Sequence, residues 1–423
     1  MKISRRDLVG LIGSGLFAPS LLFSPREVRA QKPLESDMSF KIRTITAGVT
    51  LAGPEDFDKL RSAVDFLSMA KARYIEAGYE VQTTRISTQP LPNYLPDWKN
   101  QTAIDTLQGL DEFALDNGVG FSIGQVITDN RYDDDFALWI AALIKQTSRL
   151  SMTTQTATTK YGIHDQTIRA TAEAISAIAN DSQGGEGNFR FAATAFIPPD
   201  TPFFPAAWHE GVDQFALGLE TPNLLTEVFR TSTGFDDARQ KLMERMNGVM
   251  HPLQEVAQQL DEASDWSYTG MDTSPAPGKT ASIGEAIETL TGSPFGTGNT
   301  LSACAAITDV LKNVDVKTCG YSGLMLPVME DPVLAKRAQE GHFSVSELLL
   351  YSSVCGTGLD TVPLAGDISV DSLAAVIRDM SALATKYQKA LSARLFPVPG
   401  ASVGELVEFE SPMLTDSVIM ALD

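Results

Sequence analysis

The chain of 423 residues contains 53 acidic and 33 basic residues, which gives a formal net charge of −20 at pH 7. This excess of negative charge argues against nucleic acid or anionic lipid as a partner, because both carry phosphates that an acidic surface repels. Hydrophobic residues make up 43% of the chain and charged residues 20%, a balance typical of a globular protein with a large core.

Residues 1–30 have the pattern of an export signal. Arg5 and Arg6 precede the apolar stretch LVGLIGSGLFAPSLLF, and the small residue Ala30 ends the segment. The order SRRDL resembles a twin-arginine signal, which directs folded proteins to a dedicated export machinery. A membrane span needs about 20 apolar residues, and this run is shorter and is broken by Pro19. We therefore expect a periplasmic or otherwise exported protein that uses the twin-arginine machinery and has no stable membrane insertion after cleavage.

Beyond this signal, the spacing of hydrophobic residues alternates between strand-like and helix-like. Strands are predicted in the segments KIRTITAGVTL, YEVQTTRIST, VGFSIGQVI, LSMTTQTAT, FRFAATAFI, QFALGLET, SYTGMDTSP, YSGLMLPVM, LDTVPLAG, RLFPVPG and ELVEFE. Helices are predicted at about 54–78, 100–115, 134–148, 164–180, 235–264, 281–290, 300–313, on both sides of Gly341, and at about 371–392. The stretch SQGGEGN is predicted to be a flexible loop.

This alternation is typical of parallel strands covered by helices. About ten strand candidates follow one another without a break in composition. We therefore expect residues 31–423 to form a single α/β domain with a closed or strongly curved sheet.

The three cysteines, Cys304, Cys319 and Cys355, are an odd set. In an oxidising compartment they could form at most one disulfide within the chain. Their spacing matches neither a CxxC pair nor a zinc site. A disulfide framework is therefore excluded, whereas pairing of Cys304 with Cys319 stays open.

Candidate functional residues lie on predicted loops at the carboxyl ends of strands, where parallel α/β folds collect their binding groups. Four such loops carry polar side chains. They are FFPAAWHEG with His209 and Glu210, GMDTSPAPG with Asp272 and Ser274, GYSGLMLPVMED with Ser322, Glu330 and Asp331, and VCGTGLDTVPLAGD with Cys355 and Asp360.

Cys355 and His209 each have two interpretations. A thiolate stabilised by His209 or by a helix N-terminus would make Cys355 a nucleophile, whereas cysteine also commonly packs as a small buried hydrophobe. His209 is one of four histidines and lies in a turn rich in proline and aromatic residues. It could transfer protons, or it could have a purely structural role.

Four carboxylates, Asp272, Glu330, Asp331 and Asp360, could bind a hard divalent cation if the fold brings their oxygens together. The alternative is that each has a local role. Glu330 and Asp331 stand at the start of a predicted helix, where its dipole favours negative charge, and Asp272 and Asp360 could cap turns.

The segment FGTGNTLSACAAITDVLK is a glycine loop that opens a helix. Such a loop can hold an anion on its backbone N–H groups. No GK[ST] follows the glycines, so the phosphate-loop pattern is absent. A helix cap by Asn299 or Thr300 explains the segment equally well.

Several of these segments, in the same order, resemble the domain-of-unknown-function-711 family. The resemblance covers about residues 40–412 and rests on IRTITAGVTL, MDTSPAP with SIGEAIE, GTGNTLSACAAITDVLK, GYSGLMLPVMED, VCGTGLDTVPLAGD and PVPGASVGELVEFE. It implies an α/β fold similar to the ten-stranded barrel of pyruvate formate-lyase. Because the family has no settled activity, the resemblance implies an architecture and not a reaction.

The family motifs carry over to individual positions of this chain. These are Arg43, Thr46, His209, Asp272, Ser274, Gly298, Thr300, Ser322, Gly323, Glu330, Asp331, Cys355 and Asp360. We predict catalytic roles for Cys355, His209 and Asp360. The predicted substrate-binding residues are Arg43, Asp272, Ser274, Thr300, Ser322 and Glu330. If a divalent cation binds, its predicted ligands are Asp272, Glu330 and Asp331.

The chain departs from the family pattern in two respects. It carries an export signal, whereas the familiar members look cytoplasmic. It also lacks the RVxGY-type motif that carries the radical glycine in glycyl radical enzymes. Because oxygen quenches a glycyl radical, we expect no glycyl radical in an exported protein.

The sequence therefore predicts an exported enzyme that acts on a small polar metabolite in the barrel pocket by non-radical cysteine, histidine or carboxylate chemistry. The alternative is a non-catalytic metabolite-binding protein of the cell envelope. A divalent cation is the one cofactor that the residues suggest. The family's tendency to associate would agree with a homo-oligomer.

Overall fold

The structure is a computed structural model that describes residues 39–423, so the predicted export signal lies outside the described residues. Strands and helices alternate through the described part of the chain. The strands are β1 Lys41–Val49, β2 Val81–Thr88, β3 Gly120–Ile127, β4 Leu150–Thr158, β5 Gly162–Ile163, β6 Phe191–Ala195, β7 Gln214–Glu220, β8 Ser267–Pro275, β9 Gly358–Ala365, β10 Leu391–Val398, β11 Leu406–Val407 and β12 Ser417–Val418.

The helices occupy the connections between strands. They are α1 Phe57–Glu76, α2 Gln101–Asp116, α3 Phe136–Gln146, α4 Asp165–Asp181, α5 Pro222–Arg230, α6 Phe235–Ala263, α7 Ile283–Thr291, α8 Thr300–Lys312, α9 Pro332–Gln339, α10 Val345–Tyr351 and α11 Val370–Tyr387, with short 3-10 helices at Leu91–Asn93 and Gln183–Arg190. Within residues 39–423, no helix has both the length and the apolar character needed to cross a membrane.

Ten strands form one sheet in the order β8-β7-β1-β2-β3-β4-β6-β10-β9, with β5 paired to β4. The predicted ten-stranded α/β fold is therefore confirmed. The neighbours β1, β2, β3, β4 and β6 are parallel to one another. However, β7 is antiparallel to β1 and parallel to β8, and β10 is antiparallel to β6 and parallel to β9. The expectation of parallel strands thus holds only within each half of the sheet, because hydrophobic periodicity does not encode strand direction.

The segment 317–329 lies between the two edge strands of this sheet. Thr318 forms an isolated parallel bridge with Met271 of β8, and Pro327 forms one with Asp360 of β9. The predicted strand YSGLMLPVM is thus bridged only near its C-terminal end, at Pro327, and Thr318 lies before its first residue. Among the described residues, hydrogen-bonded strands do not complete a circle, and this bridging segment connects the edges instead.

Helix α1 shows how the sequence places the helical layer. Asp56 accepts a hydrogen bond from the backbone N–H of Lys59 and caps the helix N-terminus. Its buried residues recur every three or four positions, as in Leu60, Ala63 and Leu67, and they form the stripe that packs on β1 and β2. Burying one such leucine contributes about 2 kcal/mol.

Two local predictions differ from the structure. The stretch predicted to be a flexible loop lies in the 3-10 helix at Gln183–Arg190, where Gly184 and Gly185 have φ of 57° and 73°. Gly185 also approaches the backbone closely, because a Cβ there would lie 2.2 Å from the carbonyl oxygen of Pro397. The other difference is α5, a helix of nine residues that the sequence pattern did not reveal.

The connection between β6 and β7 enters the barrel interior, and we call residues 196–211 the inner loop. The Thr46 hydroxyl on β1 donates to the carbonyl oxygen of Pro202 over 2.9 Å, and the Ser122 hydroxyl on β3 donates to that of Ala207 over 2.6 Å. Phe203 of this loop packs in a buried cluster with residues of the bridging segment. The inner loop therefore fills the centre of the barrel.

Candidate functional site

A cavity of about 590 Å³ opens beside the tip of the inner loop. Six basic side chains line it, those of Arg43, Lys71, Arg85, Arg149, Arg190 and Arg394, together with two acidic ones, those of Glu330 and Asp360. Phe203 and Phe204 of the inner loop form part of its wall. This volume is typical of sites for small molecules. We call it the arginine cavity.

The position of the arginine cavity follows from the two strand directions. Arg43 is the third residue of β1, and Arg149 comes immediately before β4, so the cavity lies at the amino-terminal ends of these strands. Because β7 and β8 run the opposite way, their carboxyl ends border the same cavity, and Ala276 directly after β8 lines it. The expectation that binding groups gather at carboxyl ends is thus met by one half of the sheet only.

Arg394 holds the two acidic residues of the cavity. Its Nε donates to Oδ1 of Asp360 over 2.7 Å, and its Nη2 donates to Oε1 of Glu330 over 2.5 Å. Its guanidinium carbon lies 4.8 Å from the ring centroid of Phe189. Burial lowers the pKa of Arg394, but Asp360 and Glu330 outweigh that effect and raise it overall. Burial raises the pKa of Glu330 against the opposing charge of Arg394, and the nearby carboxylate of Asp360 raises it further.

Arg43 is neutralised by a neighbouring strand. Its Nη1 donates to Oε2 of Glu220 over 3.2 Å and to Oε1 of Gln82 over 3.0 Å. Gln82 in turn donates from Nε2 to the same Glu220 oxygen over 2.9 Å. This network leaves the charge of Arg43 balanced before any ligand binds.

Arg85 has no such counterion. Its guanidinium carbon lies 4.9 Å from the ring centroid of Phe204, and it forms no hydrogen bond or ion pair with any residue in 39–423. Burial lowers the pKa of Arg85 to about 9, with Arg43 and Arg394 adding to the decrease and Glu330 opposing it. The group therefore stays positively charged at neutral pH. It is an unpaired cation facing the cavity.

Arg149 is unpaired, like Arg85, whereas Arg190 has hydrogen-bond partners, like Arg43. Within the described part of the chain, the guanidinium of Arg149 has no ion pair or hydrogen bond and is exposed at the cavity rim. Arg190 donates to the hydroxyl of Thr147 and to three backbone carbonyl oxygens, including that of Leu150 at 3.0 Å. Burial lowers the pKa of Arg190 to about 10, opposed by the charge of Asp111. Arg190 therefore has a structural role, and Arg149 is free to bind.

Three of the predicted site residues, Arg43, Glu330 and Asp360, come together in the arginine cavity. The structure places the others elsewhere. These are Cys355, His209, Asp272, Ser274, Thr300, Ser322 and Asp331.

Cys355 is fully buried in the main hydrophobic core. Its backbone N–H donates to the carbonyl oxygen of Tyr351, and no hydrogen bond in residues 39–423 joins it to His209. All three cysteines are free thiols, so Cys304 and Cys319 are not paired. The environment of Cys355 is that of a small core residue rather than of a nucleophile in a pocket.

His209 anchors the inner loop at the far end of the barrel. Its Nδ1 lies 2.8 Å from Oδ1 of Asp200, its Nε2 lies 3.3 Å from the carbonyl oxygen of Gly211, and the side chain is fully buried. Its ring packs directly on Gly48, five residues along β1 from Arg43. At about 3.3 Å per strand residue, this is about 16 Å from the arginine cavity. Two of the three predicted catalytic side chains, Cys355 and His209, are therefore not in the cavity, whereas the third, Asp360, lines it.

Asp272 uses its carboxylate to hold the bridging segment. It accepts hydrogen bonds from the hydroxyl of Ser274 at 2.5 Å and from the backbone N–H groups of Tyr321 and Ser322 at 2.8 and 3.0 Å. Burial raises the pKa of Asp272, although these hydrogen bonds oppose the increase. Asp272, Ser274 and Ser322 thus form a structural cross-link and do not reach the arginine cavity.

Asp331 stabilises two helix N-termini, and Thr300 holds the loop that precedes a third helix. Asp331 accepts from the backbone N–H groups of Ile283 and Val333, at 2.6 and 2.9 Å, and so caps both α7 and α9. The hydroxyl of Thr300 accepts from the backbone N–H of Gly296 at the start of α8. A local role for Asp331 is the alternative that the sequence left open. The suggested cap of α8 by Asn299 or Thr300 is not formed, because the N-terminus of α8 has no side-chain cap and Thr300 accepts from a residue before the helix.

The predicted metal ligands Asp272, Glu330 and Asp331 do not converge, because each carboxylate is occupied by a different set of partners. Within residues 39–423, no three His, Cys, Asp or Glu side chains form a cluster that could hold a metal ion. The expected arrangement of cation ligands is therefore absent from the described part of the chain.

Sequence reasoning missed Arg85, Arg149 and Arg394. Two of them lie inside strand patterns, in VQTTRIST and LSARLFPV. An arginine at the position of a strand that faces a barrel interior is rare, because an unpaired charge is costly to bury. The arginines within these strand patterns are visible in the sequence, but the face on which they lie is not, so this signal for the cavity is incomplete.

Comparisons with known proteins agree with this architecture. The family model described as Uncharacterised ACR (DUF711) matches residues 35–410. A UPF0210 protein of Pyrobaculum islandicum is 28% identical over 416 residues, which covers 92% of this chain and 88% of the relative. A UPF0210 protein of Syntrophobacter fumaroxidans is 27% identical over 434 residues, with 95% and 94% covered. A UPF0210 protein of Listeria monocytogenes is 26% identical over 400 residues, with 87% and 88% covered. The names of these relatives state no activity.

Proposed function

The chain belongs to the Uncharacterised ACR (DUF711) family, and on that premise we propose that it binds a small anionic metabolite in the arginine cavity and acts on it with Glu330 and Asp360. The observation that carries the proposal is the unpaired guanidinium of Arg85. The proposal narrows the small polar metabolite expected from the sequence to a negatively charged one.

Arg85 has hydrogen-bond donors that no residue in 39–423 uses. It is partly buried and lies close enough to Arg43 and Arg394 for their charges to lower its pKa. A bound carboxylate or phosphate would supply a countercharge and accept two parallel hydrogen bonds from the guanidinium. Because the chain as a whole is acidic, this local positive charge is a property of the cavity and not of the surface.

The two carboxylates supply a means of moving protons. Glu330 Oε1 and Asp360 Oδ1 lie 2.5 and 2.6 Å from the same Nη2 atom of Arg394. Burial raises the pKa of Glu330, and the carboxylate of Asp360 adds to the increase against the opposing charge of Arg394. A carboxyl whose pKa is raised can act as a general acid or base on a ligand held by Arg85.

A thermal-shift titration with acetate, malonate, citrate and inorganic phosphate tests the proposal. We expect at least one anion to raise the melting temperature of the wild type, because a ligand that binds only the native state stabilises it. Arg85→Gln should lose that increase. Arg61→Gln is the control, since Arg61 is exposed on α1 and pairs only with Asp58. Equal stabilisation of the wild type and Arg85→Gln would refute the proposal.

The variant Glu330→Gln distinguishes an enzyme from a protein that only binds the anion. In an enzyme, Glu330→Gln should retain stabilisation by the anionic substrate and lose its conversion. A wild-type protein that binds the anion and forms no product would instead be the non-catalytic binding protein expected as the alternative.

We also propose that the chain is exported by the twin-arginine machinery. The support is the SRRDL sequence and the apolar stretch after it. Cell fractionation of the wild type and of a variant with Arg5→Lys and Arg6→Lys tests this proposal. We expect the variant to stay in the cytoplasm, and export of both proteins in equal amount would contradict it.

A further inference from the structure

We propose that the anionic group bound in the arginine cavity is a phosphoryl group, held between Arg85 and Arg149 above Gly120. The inference rests on the proposed function and narrows its ligand to phosphorylated metabolites. It depends on the alignment of three neighbouring strands, on the face of the sheet that they present, and on the missing side chain of Gly120.

Arg85, Gly120 and Arg149 lie side by side on three adjacent strands. Arg85 of β2 is paired with Gly120 of β3. The next residue, Phe121, is paired with Leu150 of β4, and its N–H donates to the carbonyl oxygen of Arg149 over 3.2 Å. Since neighbouring strands are about 4.8 Å apart, the Cα atoms of Arg85 and Arg149 are about 10 Å apart. Two arginine side chains can meet across that distance.

This row faces the interior of the barrel. Side chains two residues apart on a strand share a face. Ser122, two residues after Gly120, donates its hydroxyl to the carbonyl oxygen of Ala207 in the inner loop. Both Arg85 and Arg149 line the arginine cavity. The two guanidinium groups therefore approach the same space from either side of Gly120.

The missing side chain of Gly120 lets Arg85 and Phe204 lie close against β3. A Cβ at Gly120 would lie 3.3 Å from Cγ of Arg85 and 3.3 Å from Cε2 of Phe204. Gly120 does not have a positive φ, so its backbone conformation does not require glycine. Its role here is to give the Arg85 stem and the Phe204 ring room against the strand, so that an added methyl group would displace one of them.

Two unpaired guanidinium groups fit a phosphoryl group better than a carboxylate. A phosphoryl group offers three terminal oxygens and a charge close to −2 at pH 7, so it can accept from two arginine forks at once. A carboxylate has two oxygens and one charge, which a single fork satisfies. Ser151, two residues after Arg149, also lines the cavity, and its hydroxyl has no hydrogen-bond partner among residues 39–423. It can supply a further donor.

Isothermal titration with inorganic phosphate and with acetate, at equal ionic strength, tests the inference. We expect phosphate to bind the wild type about tenfold more tightly than acetate, since phosphate can accept from both guanidinium groups whereas a single carboxylate is satisfied by one. Gly120→Ala and Arg149→Gln should each weaken phosphate binding by about tenfold. Gly109→Ala is the matched control, because nothing lies within 4 Å of a Cβ at that position of α2.

The outcomes separate this inference from the proposed function. If Arg85→Gln abolishes anion binding while Gly120→Ala and Arg149→Gln leave phosphate affinity unchanged, the phosphoryl site is refuted and the anion site survives. Acetate binding as tightly as phosphate would likewise refute the phosphoryl site. If the wild type binds no anion, both proposals fail. Circular dichroism confirms folding, and Arg149→Gln alters an exposed side chain, so it tests the site even if Gly120→Ala unfolds.

Discussion

Glu330 and Asp331 are adjacent in the sequence, yet their carboxylates serve different parts of the molecule. Glu330 binds Arg394 inside the arginine cavity, at an Oε1–Nη2 distance of 2.5 Å. Asp331 accepts from Ile283 at the start of α7 and from Val333 at the start of α9. The chain passes here from the bridging segment into α9, so one residue faces the barrel and the next faces the helical layer.

Replacing Asp331 by alanine should lower the free energy of unfolding by about 3 kcal/mol, because two helix caps are lost and buried N–H groups are left without acceptors. The fully buried carboxylate also accepts from the hydroxyl of Ser282 over 2.7 Å. Urea denaturation measures the change. Asn100→Ala, which removes the single cap of α2, should cost about 1 kcal/mol. Equal losses in the two variants would show that Asp331 does not join two helices energetically.

Replacing Arg394 by methionine should lower the free energy of unfolding by about 3 kcal/mol, because Glu330 and Asp360 are then left buried without a counterion. Adding Glu330→Gln and Asp360→Asn to that variant should restore part of the loss, since neutral amides need no countercharge. Denaturation curves of the three proteins measure both effects. No recovery in the triple variant would mean that Arg394 contributes mainly by packing on Phe189.

Cys355→Ala should leave anion binding in the arginine cavity unchanged and cost about 1 kcal/mol of stability, as for other small truncations in a core. In the native protein a thiol reagent at pH 8 should modify at most Cys319, which is the partly exposed cysteine of the described residues. Burial raises the pKa values of the Cys319 and Cys304 thiols, so even that reaction should be slow. Rapid modification of Cys355 in the folded state would restore its candidacy as a nucleophile.

His164 should make stability depend on pH below neutrality. Burial lowers the pKa of His164, opposed by the carbonyl oxygen of Gln155, which lies 3.0 Å from its Nδ1, and by the charge of Asp129. The unfolded chain then binds a proton near pH 6.5 that the native state takes up only at lower pH. The stability that this group contributes is present above about pH 6.5 and is lost as the pH falls through the folded-state pKa. Unfolding free energies between pH 7.5 and 5.5 should fall for the wild type and fall less for His164→Gln; parallel curves would contradict this assignment.

Much of the fold could be predicted from the sequence, because strand and helix periods differ and each segment signals its own type. Segments such as β2, β4 and α6 lie almost where their patterns place them. The opposite direction of β7, β8, β9 and β10 could not be predicted, since the period of a strand is the same in either direction. The bridging segment was predicted as a strand because its apolar residues are spaced as in one, although only Thr318 and Pro327 pair.

The site was predicted less well than the fold. Asp272 and Asp331 were predicted as site residues because polar residues next to glycine or proline indicate loops. In the structure, their carboxylates accept hydrogen bonds from backbone N–H groups. Arg85 and Arg394 sit within strand patterns, where only the three-dimensional structure shows which face is inward. Glu330 and Asp360 were identified because they follow turns, and their common partner Arg394 could not be inferred from spacing.

The inner loop runs from the arginine cavity to the far end of the barrel and so connects the two ends. The ring of Phe204 in this loop lies beside Gly120. A few residues further on, Nδ1 of His209 lies 2.8 Å from Oδ1 of Asp200. A ligand that contacts the Phe204 ring therefore restricts a loop that is also held about 16 Å away, at His209. Ligand binding in the arginine cavity should therefore slow the hydrogen exchange of the His209 amide at the other end of the barrel. That amide donates to the carbonyl oxygen of Thr88.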